Sequence, residues 1–102
     1  MLVYTVGVWT VKPGHEDAFV AGWQAMADWT ASLHPGQADV AHLLRDRADR
    51  SRFISFGAWP DEETVVAWRA LPEFAAHVDA LREHLDGFLP GTFDVVAEIG
   101  TG

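Results

Sequence analysis

Two tryptophans and one histidine are the residues of this chain best placed to share a chemical site. Trp59 ends the apolar run RFISFGAW, and Trp68 and His77 follow in the helical segments after it. A buried indole N–H needs a hydrogen-bond acceptor, and an imidazole exchanges a proton near neutral pH without help. The combination is typical of an aromatic-walled pocket in which a proton moves, so His77 is a candidate general base. The structural alternative is a hydrogen-bonded or solvent-facing histidine at a helix edge.

Small residues in the predicted strands indicate where such a pocket would form. Ser55 and Gly57 share a strand face with Trp59, and Gly7 interrupts the first strand. Glycine inside a strand often marks a close approach or missing bulk. We therefore predict a cavity beneath the helices, with Ser55, Gly57 and Trp59 facing it from the third strand. The predicted substrate-binding walls are Trp68, Phe74, Trp23, Gly57 and Gly7. The alternative is a core that the indole rings fill completely.

The remaining histidines give one more candidate and no metal site. His42, in the middle of the predicted second strand, is the second candidate for accepting a proton. His15 and His34 stand beside loops, and His84 lies too far from His77 along the chain to share a small ion with it. No His, Asp or Glu pair has spacing typical of zinc or iron, and cysteine is absent. Phosphate-binding glycine loops, dinucleotide fingerprints and nucleophile elbows are also missing, which disfavours nucleotide cofactors and acyl-enzyme chemistry.

The periodicity of apolar residues predicts the elements that position these side chains. We predict strands over 2–11, 38–46, 52–59 and 92–99, and a helix over 15–33. A second helical segment begins near Pro60, restarts at Pro72 and continues to Leu85, with Gly87 and Pro90 as its stop. The order β-α-β-β-α-β predicts an α+β, ferredoxin-like fold with a four-stranded antiparallel sheet and helices on one face. The 102 residues predict a single domain, 1–102.

Charge narrows the classes of partner. The formal net charge is -8 with histidines neutral, whereas nucleic acids and anionic membranes are bound by clustered lysine and arginine. The arginines at 45, 47, 50 and 52 do cluster, but Asp46 and Asp49 lie among them. A solvated turn is one interpretation, and a rim that steers anions is the other. With neither a signal peptide nor a membrane-length apolar run, we expect a soluble, cytoplasmic protein.

The strand pattern also predicts a partner. Ile54 and Phe56 lie on the face of the third strand opposite to that of Ser55, Gly57 and Trp59, so this strand has apolar residues on both faces. Helices cover only one face of such a sheet, and an exposed apolar patch marks an interface. We therefore predict a homodimer in which two sheets pack face to face.

The segment from Arg45 to His77, with the opening TVKPGHEDAF, resembles the antibiotic biosynthesis monooxygenase domain family. The pieces that carry the resemblance are LLRD, RFISFGAW, WPDEE and the PEF step. The resemblance spans nearly the whole chain and implies a dimeric α+β barrel, in agreement with the dimer expected from the strand faces.

The resemblance implies a cofactor-independent oxygenase as one activity. Some members oxidise polycyclic phenols to quinones with dioxygen, and the protein removes a phenolic proton. The family's strand tryptophan falls on Trp59 and an asparagine four residues earlier on Ser55. A tyrosine implicated in proton transfer falls on Val65, which has no group for that role. The function that the resemblance implies first is a cofactor-independent monooxygenase acting on a small aromatic or polyketide-type metabolite. In it, Trp59 and Ser55 would position oxygen atoms of the ligand by hydrogen bonding, and His77 or His42 would take the phenolic proton.

Two other functions remain open. Some family members bind and degrade haem; their helix tryptophan falls on Trp68, their histidine within one position of His77, and their asparagine on or near Gly7. A one-residue shift rotates a side chain by about 100° around a helix. The other alternative is a non-catalytic module that binds a small molecule or serves as an accessory protein.

Overall fold

The four described strands form one antiparallel sheet. A computed structural model describes residues 2–33 and 41–100. In these ranges the sheet order is β2-β3-β1-β4. The result confirms the predicted α+β, ferredoxin-like fold. The elements are β1 (Val3–Val11), α1 (Glu16–Leu33), β2 (His42–Arg45), β3 (Arg52–Trp59), α2 (Glu62–Arg69), α3 (Pro72–Arg82) and β4 (Leu85–Asp94).

The predicted second helical segment is two helices because of the sequence around Pro72. Asp61 is the N-cap of α2, and its side chain accepts a hydrogen bond from the Thr64 backbone N–H. Leu71 is extended, with φ -70° and ψ 138°, and α3 begins at Pro72. A residue before proline is pushed out of the helical region, while proline suits the first helical position. The break therefore follows from local sterics.

The last strand lies earlier in the chain than predicted. The prediction was 92–99, but β4 spans Leu85–Asp94, so Gly87 and Pro90 lie inside a strand and do not end a helix. Because β4 is at the sheet edge, the missing N–H of proline need not break a ladder between two strands. Residues 95–99 form no regular element. The prediction was wrong because it took a tolerated edge proline as a stop signal.

The second strand is also shorter than predicted. The prediction was 38–46, and the observed strand is His42–Arg45. Residues 38–40, like His34, lie outside the described residues. After β2 the chain turns on Asp46, whose carboxylate accepts hydrogen bonds from the Ala48 and Asp49 N–H groups and pairs with Arg52 at 3.3 Å. These backbone bonds, first that of Ala48, hold the Asp46 pKa below its usual value, with a smaller contribution from Arg52. The arginine turn is therefore an internally bonded surface turn.

The two sheet faces have different surroundings. On β1 and β3 the odd-numbered residues face the helices, where Trp9, Phe19 and Leu81 belong to the buried core. The even-numbered residues point to the opposite face, which we call the outer face. Its apolar side chains are Tyr4, Val6, Val8, Leu44, Ile54, Phe56, Ala58, Leu89 and Phe93. None of the helices in the described ranges has the length and apolar character needed to span a membrane.

Candidate functional site

A cavity of about 600 Å³ lies between the inner sheet face and the helices. Its floor is formed by Gly7, Ser55 and Gly57, the small residues on adjacent positions of β1 and β3. A volume of this size is within the range of small-molecule sites, which is roughly 300–1,000 Å³. The apolar walls that the helices supply include Trp23, Met26, Trp68, Phe74 and Val78.

Two reciprocal hydrogen bonds orient the indoles of the sheet. The Trp9 Nε1–H on β1 donates to Ser55 Oγ on β3 over 2.9 Å. In the opposite direction, the Trp59 Nε1–H on β3 donates to Thr5 Oγ1 on β1 over 3.0 Å. Each indole crosses to the neighbouring strand, so the two bonds brace the cavity floor. A ligand that bonds to the Trp59 N–H would therefore share that donor with Thr5.

Gly7 provides the space that one of these bonds needs. A Cβ built on Gly7 would lie 2.8 Å from Trp9 Nε1 and 2.9 Å from Ser55 Oγ, closer than real Cβ contacts allow. Trp9 is only 4% exposed, and its ring stacks on Phe88 with the centroids 3.9 Å apart. A side chain at position 7 would therefore push against a ring that has little room to move. At Gly57 the nearest contact would be Ala41 Cβ at 3.2 Å, a milder approach.

An aromatic row forms the wall beside α2 and α3. The Trp68 ring lies 4.8 Å from the Trp59 ring and 4.7 Å from the Phe74 ring, the latter edge-on at 76°. The Trp68 N–H donates to Thr30 Oγ1 over 3.0 Å, and that hydroxyl donates to the Met26 carbonyl over 2.8 Å. Because this chain of bonds runs to the backbone of α1, Trp68 is held in one orientation against the cavity.

Charged side chains complete the lining. Arg69, Arg82 and Asp28 all line the cavity and are exposed residues, which places them at its rim. The Arg69 Nη1 donates to Thr92 on the edge strand over 3.0 Å. The sequence prediction did not include these residues. The available signal was position, since Arg69 and Arg82 are the basic residues in the last turns of α2 and α3.

Seven of the nine predicted site residues line this cavity: Trp59, Ser55, Trp68, Phe74, Trp23, Gly57 and Gly7. The two histidines do not. The His77 ring packs on Trp29 with the centroids 5.1 Å apart, and the exposed His42 ring stacks on Phe56 of the outer face at 5.2 Å. The structure therefore assembles the predicted aromatic and small residues without either predicted base. The catalytic role given to each histidine stays a prediction.

The described residues contain no group of three or more His, Cys, Asp or Glu side chains able to hold a metal ion. Val65 is fully buried in a small cluster with Val3 and Trp59, which agrees with a packing role at that position.

Comparison with known proteins agrees with this architecture. Residues 2–88 match the family model described as antibiotic biosynthesis monooxygenase. This chain belongs to the antibiotic biosynthesis monooxygenase family. The family assignment confirms the resemblance seen in the sequence. No curated protein sequence matches the chain significantly.

Solved structures show the same fold. SnoaB from Streptomyces nogalater, described as a cofactor-independent oxygenase, is 25% identical with a TM-score of 0.81, over 98% of both chains. A variant of the same protein is 22% identical with a TM-score of 0.85, again over 98% of both chains. A conserved protein from Methanosarcina mazei Go1 is 16% identical with a TM-score of 0.79, over 91% of both chains. This family member therefore shares its fold with an oxygenase and with a protein whose description names no activity.

Proposed function

We propose that this family member is a cofactor-independent monooxygenase that oxidises a small aromatic or polyketide-type metabolite. The observation that carries the proposal is the cavity of about 600 Å³ walled by Trp23, Trp68 and Phe74. Flat aromatic side chains favour stacked or edge-on contact with a flat aromatic ligand. SnoaB, whose fold the chain shares, is described as needing no cofactor, and this supports the same chemistry here.

The substrate best suited to this chemistry is a phenolic ring system with an activated CH₂ group. Its anion reduces dioxygen, and the overall change converts CH₂ and O₂ into C=O and H₂O. The substrate supplies all the electrons, so the protein has to favour the anion, hold the reacting carbon near dioxygen and exclude water. Dry apolar walls strengthen charge interactions inside such a site.

The cations of the rim are suited to holding that anion. Arg69 and Arg82 line the cavity, and a positive charge beside a phenol favours its ionised form. A guanidinium also donates charge-assisted hydrogen bonds to an oxyanion. The proton passes to solvent at the rim, where Asp28 supplies an acceptor carboxylate. In this proposal His77 and His42 have no direct contact with the reacting atoms.

Ser55 is suited to orienting a ligand oxygen. Its Oγ accepts the hydrogen bond from Trp9, which leaves the hydroxyl hydrogen to donate into the cavity. The Trp59 ring forms the wall beside Ser55 and packs on Trp68. The proposed roles are therefore Ser55 as donor, Trp59 and Trp68 as walls, and the arginines as anion stabilisers.

The test is turnover of 1,8-dihydroxyanthrone and related phenols by metal-free protein in air, followed by oxygen uptake and quinone absorbance. Arg82→Gln is expected to lower kcat/KM about 10- to 100-fold, because a hydrogen bond to a charged group contributes about 1.5–3 kcal/mol. The matched control is Arg47→Gln, an exposed arginine of the β2–β3 turn that does not line the cavity. A rate equal to buffer across the panel, or equal losses in both variants, would contradict the proposal.

The alternative is a binding or accessory module that holds a metabolite without turnover. The absence of a histidine from the described cavity lining favours this candidate over haem degradation, which needs an axial ligand. Native mass spectrometry after gentle purification tests it: a retained aromatic ligand with no turnover would support the module. A haem titration that shifts the Soret band in the wild type, but not in His77→Ala, would support the haem function instead.

We also propose that a second copy of the chain covers the outer face. Leu89 is 72% and Phe93 56% exposed there, beside the side chains of Val6, Val8 and Phe56. All four described strands contribute apolar residues to this face, so these residues extend across the full width of the sheet. A second identical sheet offers the complementary apolar surface, and closed twofold symmetry is the commonest arrangement of soluble oligomers.

A further inference from the structure

Two histidines that are far apart in the sequence lie close together where β1 ends and β4 begins, outside the cavity. The Nδ1 atoms of His15 and His84 lie 3.0 Å apart, although the two residues are separated by 69 positions. His15 immediately precedes α1, and His84 lies between α3 and β4. Neither lines the cavity, so this pair has no part in the site described above.

The backbone holds both residues in place. The Lys12 N–H donates to the His84 carbonyl over 2.9 Å, and the His15 N–H donates to the Lys12 carbonyl over 3.0 Å. The His84 N–H in turn donates to Leu81, one of the most buried core residues. The two imidazoles therefore project from a junction of three elements whose backbones are hydrogen-bonded to one another.

The contact between the two Nδ1 atoms is a hydrogen bond, in which one imidazole donates its Nδ1–H to the Nδ1 lone pair of the other. The His84 side chain is 17% exposed, and its Nε2 lies 3.4 Å from the Glu83 carboxylate oxygen Oε1. With the carboxylate on the Nε2 side of the ring, Nδ1 is the nitrogen that faces His15. A metal-ligating histidine commonly has this arrangement, with one nitrogen on the metal and the other near a carboxylate.

We propose that His15 and His84 bind a divalent late transition-metal ion, such as Zn²⁺, through their two Nδ1 atoms. With Zn–N distances of about 2.0–2.1 Å and tetrahedral angles, two ligand nitrogens stand about 3.3 Å apart. The observed 3.0 Å separation needs an opening of only a few tenths of an ångström. The ion takes the place of the proton that the two Nδ1 atoms share in their hydrogen bond, and this proton is released to solvent. Imidazole nitrogen suits zinc, copper and nickel ions more than calcium or magnesium.

Water completes the coordination in this proposal. Within the described ranges no third His, Cys, Asp or Glu joins the pair as a metal-binding group. The nearby Glu16 carboxylate already accepts two hydrogen bonds from the Gly14 N–H, at 2.7 and 3.1 Å. The site is therefore a two-histidine clip that joins the start of α1 to the turn before β4. Since the folded chain alone brings the pair together, the ion stabilises the folded state.

The test is calorimetric titration of the purified protein with Zn²⁺ alone, paired with long-range ¹H–¹⁵N spectra of the imidazoles. We expect one ion per chain, with the Nδ1 resonances of two histidines shifted and their Nε2 atoms protonated. His15→Gln and His84→Gln are each expected to weaken Zn²⁺ binding at least tenfold. The matched control is His77→Gln, a histidine of α3 outside the pair, which is expected to leave Zn²⁺ binding unchanged. Zn²⁺ should raise the Tm of the wild type and of His77→Gln, but not the Tm of either pair variant.

Circular dichroism without metal first establishes that each variant is folded, and if His84→Gln fails to fold, His15→Gln decides the question alone. Absence of binding heat and of imidazole shifts would overturn the proposal. Zn²⁺ affinity retained in both pair variants would overturn it as well, because the ion would then be bound elsewhere.

Discussion

Replacing Gly7 with alanine tests the close packing of the cavity floor. The new Cβ would lie 2.8 Å from Trp9 Nε1 and 2.9 Å from Ser55 Oγ. Trp9 is stacked on Phe88, so the strain cannot be relieved by a free swing of the indole. Overpacking lowers the free energy of unfolding by about 1–3 kcal/mol, and the loss of a hydrogen bond lowers it by about 0.5–1.5 kcal/mol. Replacing a glycine restricts the unfolded chain and raises the free energy of unfolding by about 0.4–1 kcal/mol.

The net expectation is a loss of roughly 2 kcal/mol in the free energy of unfolding. For a domain of this size that lowers Tm by roughly 8–16 °C. Urea unfolding followed by tryptophan fluorescence, with a parallel calorimetric scan, measures both quantities. The matched control is Gly57→Ala, on the same inner face, where the nearest contact of 3.2 Å is to Ala41 Cβ.

A double-variant cycle separates overpacking at position 7 from loss of the Trp9–Ser55 hydrogen bond. Ser55→Ala alone removes the acceptor of the Trp9 N–H, which Gly7→Ala also disturbs. The two changes together are therefore expected to cost less than the sum of the single losses. If Gly7→Ala is as stable as Gly57→Ala, or if the two losses simply add, the account of the Trp9–Ser55 contact is refuted.

Two other expected outcomes concern a helix start and the outer face. Asp61→Ala should lower Tm because the Thr64 N–H loses its acceptor, and the difference from the wild type should shrink as the pH falls below 3.8. Hydrogen bonds from the Thr64 hydroxyl and then from its backbone N–H hold the Asp61 pKa below 3.8. The ionised, stabilising form of Asp61 is therefore lost only below that pH. A Tm difference that stayed constant in calorimetric scans down to about pH 2 would contradict this explanation. Leu89→Asp should convert a dimer into a monomer in sedimentation velocity, whereas Val66→Asp, at another exposed apolar residue on α2, should not. A monomeric wild type at micromolar concentration would refute the dimer.

Local rules explain the elements that were predicted correctly. The acidic start and Asp61 cap of α2, and the restart at Pro72, depend on residues within one helical turn of each other. Alternation along RFISFGAW likewise places Ser55, Gly57 and Trp59 on one face without knowledge of any other strand. The small floor of the cavity could therefore be predicted from the sequence.

The last strand shows where local rules fail. Pro90 is a stop signal inside a helix or a central strand, but β4 is an edge strand, and only the assembled sheet order establishes that. The position of His77 is similar. It lies one turn beyond Phe74, which lines the cavity, yet its ring rests on Trp29 of another helix.

The sequence by itself determined the element types, the faces of the strands and the family, because these depend on spacing along the chain. Tertiary structure alone decided the partners of side chains that are distant in sequence. Trp9 and Ser55 are separated by 46 positions and His15 and His84 by 69, so no periodicity links them. Their contacts arise from strand register and from the packing of α1 and α3 on the sheet. Strand register and helix packing depend on all elements together, because the core is buried only when every element is in place.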